Sequence, residues 1–229
     1  MPRRIQATAL SVMLLLSLGF ALVGCTQPAP PAEQTEAATP PAEEQAAPGM
    51  EENALYTPSY KPTGEETAVI KTSQGDITVV LYGKDAPIHV GNFVELVKKG
   101  FYDKTKFHRY EPGFVIQGGD PQTKDATRED VAGAAGNPAS MFGTGGPGYT
   151  IKGEFDTATN PNKHVEGALG MARSQSPDSA GSQFYFTLAA TPFLDGNYTV
   201  FGRVTEGMDV VQKLRAGDEI ISVTISGAE

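Results

Sequence analysis

Residues that could build a covalent or metal framework are scarce in this chain of 229 residues, which has one cysteine and three histidines. With Cys25 alone no internal disulfide can form, so the folded part must rely on its own core. His89, His108 and His164 are isolated in sequence and have no ligand-like spacing, which argues against a zinc site. Positive charge is also short, with 18 Lys and Arg against 27 Asp and Glu, a net charge of −9. An acidic chain without a basic stripe argues against nucleic acid as a partner. No GxSxG nucleophile elbow occurs, which weakens a hydrolase reading. The most apolar run, Leu10 to Val23, is too short for a comfortable membrane span.

That run has a different use. Arg3 and Arg4 precede it as a short basic region, and together they read as a signal peptide over residues 1–24. It ends in Leu22-Val23-Gly24-Cys25, which resembles the bacterial lipobox, where cleavage precedes a cysteine that receives lipid. Cys25 is thus expected to carry acyl chains and to hold the protein outside the cytoplasm on a bacterial membrane, at the cell surface or on a periplasmic face. Each buried methylene contributes about 0.8 kcal/mol, so several chains anchor firmly. Cleavage removes two arginines and no acid, shifting the net charge from −9 to −11.

Residues 25–66 hold eight acidic groups and one lysine, with runs such as Pro28-Ala29-Pro30-Pro31 and Pro40-Pro41-Ala42-Glu43-Glu44. This composition cannot bury enough apolar surface to offset its ordering entropy, so a disordered tether is expected. As a flexible coil its ends would lie roughly 35–40 Å apart.

From Thr67 the pattern turns globular, and residues 67–229 suit a single domain. Ala68–Lys71 and Asp76–Tyr82 read as a hairpin turned at Gln74-Gly75. Asp85-Ala86-Pro87 marks a helix start, Val90, Phe93, Val94 and Val97 give the helix one apolar face, and Gly100 ends it. Short strands follow around 106–110, 113–118, 166–172, 183–189 and 198–205, then a helix at 207–215 and a closing strand at 219–226. Many strands with glycine-rich connections indicate an antiparallel barrel or sandwich. Residues 121–142 form a long polar loop, of the kind that is usually functional or disordered, and a short helix fits near Thr127–Ala132. Gly143-Thr144-Gly145-Gly146-Pro147-Gly148 formally fits a dinucleotide-binding pattern, but an extended segment, not a helix, follows it.

The most informative stretch is Phe107-His108-Arg109-Tyr110-Glu111-Pro112-Gly113-Phe114-Val115-Ile116-Gln117-Gly118-Gly119-Asp120. An arginine and a glutamine among apolar residues, on a strand that breaks at two glycines, suggest a groove wall. Three further segments accompany it: Gly143-Thr144-Gly145-Gly146 leading to Glu154-Phe155; Gly167 to Arg173 followed by Gly181 to Phe186; and Phe193 to Val204. In this order the four resemble the cyclophilin-type peptidyl-prolyl isomerases over Thr67 to Gly227. The resemblance implies a mainly β fold, a closed eight-stranded antiparallel barrel capped by two helices. It also implies acceleration of Xaa-Pro bond rotation without a cofactor, metal or nucleophile.

The resemblance further assigns roles. Arg109 becomes the catalytic cation near the prolyl nitrogen. Phe114, Val115 and Leu194 line a proline pocket, Gln117 and Gln183 bond the substrate backbone, Gly143 opens the glycine turn beside them, and Ala172 and Arg173 form an edge that pairs with the peptide. Three pocket positions depart from the usual family residues. Tyr185 replaces phenylalanine and adds a hydroxyl that needs a partner. Phe193 stands where drug-sensitive members carry tryptophan, so weak cyclosporin binding is expected. Tyr198 stands in place of histidine. Arg173 occupies a position that is often asparagine, and the 121–142 loop is an insertion expected to lie beside the groove.

The resulting expectation is a monomeric, lipid-anchored isomerase acting on proline-containing chains that are unfolded or newly exported. The competing reading is a proline-segment-binding chaperone or assembly module whose turnover is incidental.

Overall fold

The computed structural model describes residues 55–137 and 139–227. The signal segment, Cys25 and the tether up to residue 54 lie outside the described residues.

Strands β1 (Thr67–Thr72) and β2 (Gly75–Leu81) form the expected hairpin. Their alternation turns Ala68, Ile70, Ile77, Val79 and Leu81 into the core. Gly75 takes a φ of 136° at the turn, a conformation that L side chains rarely adopt.

Helix α1 (Pro87–Lys98) begins at Pro87, with no side-chain cap from its own N-terminal flank. A distant residue replaces it: the Glu154 carboxylate accepts the N–H groups of Ile88 and His89, each at 2.9 Å. Such a cap contributes about 0.5–2 kcal/mol, and a carboxylate also suits the positive end of the helix. Glu154 binds His89 Nδ1 as well, at 2.7 Å, so this histidine is partnered, contrary to its isolation in sequence.

The remaining strands are β3 (Arg109–Glu111), β4 (Val115–Gly118), β5 (Ala168–Met171), β6 (Phe184–Thr187), β7 (Val200–Glu206) and β8 (Ile220–Ser226). Helix α2 (Arg128–Ala134) lies in the inserted loop, and α3 (Met208–Lys213) precedes β8. Among the described residues, α1 and α3 are the two helices expected elsewhere, and α2 is the short helix expected in the insertion. Its Thr127 and Asp130 form a reciprocal capping box, and Val131 is its buried anchor.

All eight strands form one antiparallel sheet in the order β3-β4-β6-β5-β7-β2-β1-β8. The expected closed barrel requires correction, since this sheet curls as a half-barrel whose end strands share no ladder. One bridge, Lys106 to Glu219, and backbone bonds such as Phe107 N–H to Asp218 O (2.9 Å) join the ends at a single corner. The chain leaves that seam at once. His108, the next residue, already donates its N–H to Gln117 O at 3.0 Å, which commits β3 to β4.

The core lies in the concavity of the sheet. Phe93 of α1 meets the rings of Tyr102, Phe184 and Phe201 at 5.1–5.8 Å, amid Ile70, Ile77, Leu81 and Ile116. Each such side chain contributes about 1.5–3 kcal/mol on burial.

The tether boundary also moves. Leu55 to Glu66, assigned to the disordered tether by composition, is structured and docks on the domain. Tyr56 bridges to Ile151, and its ring lies 4.2 Å from that of Tyr149. The Glu95 carboxylate of α1 accepts hydrogen bonds from the Tyr56 and Ser59 hydroxyls and from the N–H groups of Ser59 and Tyr60.

Candidate active site

The β3–β4 hairpin turns through Pro112 and Gly113, whose φ is 69°. Its register places Arg109 opposite Gln117, so both side chains lie on one face of the hairpin. The Arg109 guanidinium stands 5.9 Å from the Phe114 ring, and its Nε lies 3.6 Å from Glu111. Phe114 in turn stacks on Phe193, with centroids 5.6 Å apart and planes 29° apart. Phe193 comes from the 3-10 turn Pro192–Leu194 and is 68% exposed. Arg109, Phe114 and Phe193 thus make a continuous cation-and-ring wall open to solvent, with Leu194 half-buried at its end. Val115 is buried and stands outside the main core cluster.

The two glutamines meet. Gln117 donates its amide to Gln183 Oε1 at 2.9 Å, and Gln183 donates to the carbonyls of Gly143 and Gly145, each at 2.8 Å. Both amide hydrogens of Gln183 are engaged, whereas Gln117 keeps one hydrogen and its carbonyl without a partner among the described residues. The expected roles therefore separate: Gln117 is available to a ligand, and Gln183 fixes Gln117 and the glycine turn. The same turn is held from below by buried Asp120, which accepts the N–H groups of Gly143 and Gly145. Gly143 has a φ of 99°, which makes the tight turn accessible.

Among the described residues, the start of the insertion borders this site, where Gln122 donates its N–H to Asp120. Its helix packs elsewhere, on the turn before β8, where Arg128 pairs with buried Asp218 at 3.0 Å. An added Cβ at Gly217 would lie 2.5 Å from Arg128 O, so that approach requires glycine.

Ala172 N–H is bonded to Gln183 O at 2.9 Å. Arg173 N–H and C=O have no partner among the described residues, which leaves a short backbone edge beside the wall. The Arg173 side chain arches over Tyr198, 4.6 Å from its ring, and Tyr198 sits edge-on to Tyr185 at 6.4 Å.

Tyr185 finds the partner that its hydroxyl requires in a residue that the sequence offers no reason to select. His164 Nε2 is 2.9 Å from the Tyr185 oxygen, and its Nδ1 is 2.8 Å from Asp195. His164 is thus neither isolated nor a ligand candidate. Burial pushes its pKa down, against the pull of Asp195. Burial also raises the Tyr185 phenol well above its ordinary value. At Asp195, burial is outweighed by the His164 hydrogen bonds and by the His164 and Lys163 charges, so the carboxyl falls below its usual range. Of the two residues that support Tyr185, only Asp195, within the Phe193-to-Val204 segment, carried a sequence signal.

His108 lies behind the glycine turn, and among the described residues neither of its buried ring nitrogens has a hydrogen-bond partner. Burial, reinforced by Arg109 and opposed by Asp120, pushes its pKa down to about 4.

Taken together, the site offers an apolar ring wall, a cation beside it, one free amide and one unpaired backbone edge. Such an arrangement can grip an extended peptide and hold a ring-shaped side chain.

Comparison with known proteins agrees with this geometry. A family model described as cyclophilin type peptidyl-prolyl cis-trans isomerase/CLD matches residues 67–227. A peptidyl-prolyl cis-trans isomerase of Helicobacter pylori is 44% identical over 163 residues, covering 70% of this chain and 87% of its own. A probable peptidyl-prolyl cis-trans isomerase of Brucella suis is 40% identical over 156 residues, covering 68% and 74%. Among solved structures, a Cryptosporidium parvum cyclophilin crystallised in the presence of the dipeptide Ala-Pro superposes with a TM-score of 0.57. It is 27% identical, and the match covers 70% of this chain and 99% of that one.

Proposed function

Because the chain belongs to the cyclophilin-type peptidyl-prolyl cis-trans isomerase family and accelerates rotation about Xaa-Pro bonds, we propose that Arg109 is its catalytic cation and that it works outside the cytoplasm on a lipid tether. The observation that carries the site assignment is the Arg109–Phe114–Phe193 wall, with Gln117 on the same hairpin face.

The chemistry follows from the amide. Its rotation barrier of about 18–20 kcal/mol reflects delocalisation of the nitrogen lone pair into the carbonyl. Twisting localises that pair on nitrogen, where a guanidinium N–H can meet it. A contact that exists only in the twisted state lowers the barrier without deepening either ground state. Phe114, Val115, Leu194 and Phe193 would seat the proline ring, and Tyr185 and Tyr198 would close the pocket. Gln117 would hold the carbonyl on one side of the bond while Ala172 and Arg173 pair with the flanking backbone. Gln183 and the Gly143 turn would act by fixing Gln117. The substrate itself excludes water from Arg109, whose side chain is 48% exposed in the free protein.

Anchoring rests on the sequence: the apolar run to Val23, Cys25 as the sole cysteine, and the acidic Pro- and Ala-rich stretch behind it. On this reading the substrates are unfolded or newly exported proline-containing chains, met close to the membrane by a monomer. Without the indole donor at Phe193, cyclosporin binds weakly.

Exchange NMR on an Xaa-Pro peptide tests the assignment. Arg109→Ala should remove most of the exchange enhancement while peptide binding persists. Near-wild-type exchange by a folded Arg109→Ala protein overturns it.

A further inference from the structure

We propose that Arg173 makes the groove prefer substrates with an acidic residue close to the proline. The inference rests on the reading that peptide lies along the Ala172–Arg173 edge.

The guanidinium is unusually fixed for a partly exposed side chain. Nε and Nη2 donate to Asn197 O at 3.0 and 2.9 Å, and Nη1 donates to Ser174 O and Gln175 O at 2.8 and 3.1 Å. Its plane covers Tyr198 at 4.6 Å, with Phe155 at 5.7 Å. Every acceptor is a backbone carbonyl, which orients the group without cancelling its charge. Four of the five guanidinium donors are engaged, so one Nη2 hydrogen remains.

The surrounding carboxylates are committed elsewhere. Asp195 serves His164 and Lys163, Glu154 caps α1, and Asp178 accepts Gly153 N–H at 2.8 Å. Arg109, the other groove cation, has Glu111 at 3.6 Å. Among the described residues no carboxylate lies within ion-pair distance of Arg173. A peptide placed on the unpaired Arg173 backbone brings its side chains next to this charge. Because the guanidinium is already immobilised, a substrate carboxylate meets it at a lower entropic cost than it would a free arginine.

The test compares kcat/KM by exchange NMR across matched peptides carrying Glu, Gln or Lys at each of the two positions on either side of the proline. Wild-type protein is expected to favour Glu over Lys at one or more positions by about two- to fivefold at low salt. The preference should shrink at about 0.5 M salt, where screening is strong. Arg173→Gln should bring the ratio to about one, and Arg173→Lys should retain part of it. A flat wild-type series, or a preference that survives in Arg173→Gln, overturns the inference. If Arg173→Gln does not fold, the salt series on wild-type protein decides. Failure to accelerate even the Gln peptides would instead overturn the underlying isomerase reading.

Discussion

The Nε2 atom of His164 lies 2.9 Å from the Tyr185 hydroxyl, and this contact lets the pocket hold a phenol. Asp195 accepts the Nδ1 hydrogen, which fixes the lone pair on Nε2, so Tyr185 is the donor. Its ring end rests on Gly170, where an added Cβ would lie 2.3 Å from the Tyr185 Cζ. Tyr185→Phe leaves Nε2 without a partner, a loss of about 1–3 kcal/mol. Urea titration should therefore place the variant's midpoint clearly below wild type, with isomerisation retained, since no proton is transferred in the reaction. Equal midpoints would remove the structural role assigned to this bond.

A second prediction concerns where the domain begins. Glu95 is buried, and although burial alone would raise its pKa, the Tyr56, Ser59 and Tyr60 hydrogen bonds pull it down to about 2. A protein starting at Thr67 loses all of these donors and the Tyr56 ring packed on Tyr149, leaving the Glu95 carboxylate to water. It should unfold at lower urea than one starting at Leu55, and by a wider margin at pH 7 than at pH 3. The sign follows from the depressed pKa: the stabilisation is present above the unfolded value near 4.5 and is lost as pH falls toward 2. Identical stability of the two lengths would show that residues 55–66 merely rest on the surface.

That segment also marks where sequence reading ends. Hairpin β1–β2, helix α1 and strand β8 were legible because each buries one face, and alternation or helical spacing records which face. Residues 55–66 carry prolines and polar groups like the tether before them, and their docking depends on Glu95, a residue 35–39 positions beyond Tyr60, Ser59 and Tyr56 that reads as a solvated helix position. The Tyr185–His164–Asp195 chain was hidden for the same reason: the three residues come from separate segments, and only the fold brings them together. Within the site, resemblance named positions that the fold gathers along one groove but could not separate Gln117 from Gln183. The distinction depends on which amide hydrogens are already engaged.

The third prediction tests that distinction. Asp120 is fully buried and accepts the N–H groups of Gln122, Gly143 and Gly145. Asp120→Asn sets an amide donor against several backbone donors, which loosens the turn on which Gln183 rests. Activity should fall by about tenfold in kcat/KM, chiefly through KM, while Arg109 and its ring wall stay in place. A loss confined to kcat would place the Gly143 turn closer to the chemistry than its geometry does.

His108 provides the last prediction. Both of its nitrogens are buried without partners among the described residues, and burial pushes its pKa down to about 4. Asp120 counteracts part of this effect, and Arg109 adds to it. The unfolded chain takes up the proton near the ordinary histidine value of about 6.5. Between these two values the unfolded state binds more protons, so stability falls as pH drops through 6.5 and the loss is complete below about 4. The shift corresponds to a loss on the order of 3 kcal/mol. Glu95 contributes only at lower pH, so urea unfolding between pH 7 and 5 isolates the histidine contribution. His164, also depressed, contributes in the same direction and remains in every variant. His108→Phe keeps the ring, removes the titration and leaves no nitrogen unsatisfied. It should be at least as stable as wild type at pH 7 and lose visibly less stability on acidification. An unchanged slope would mean that His108 takes up its proton at the same pH in the folded and unfolded states.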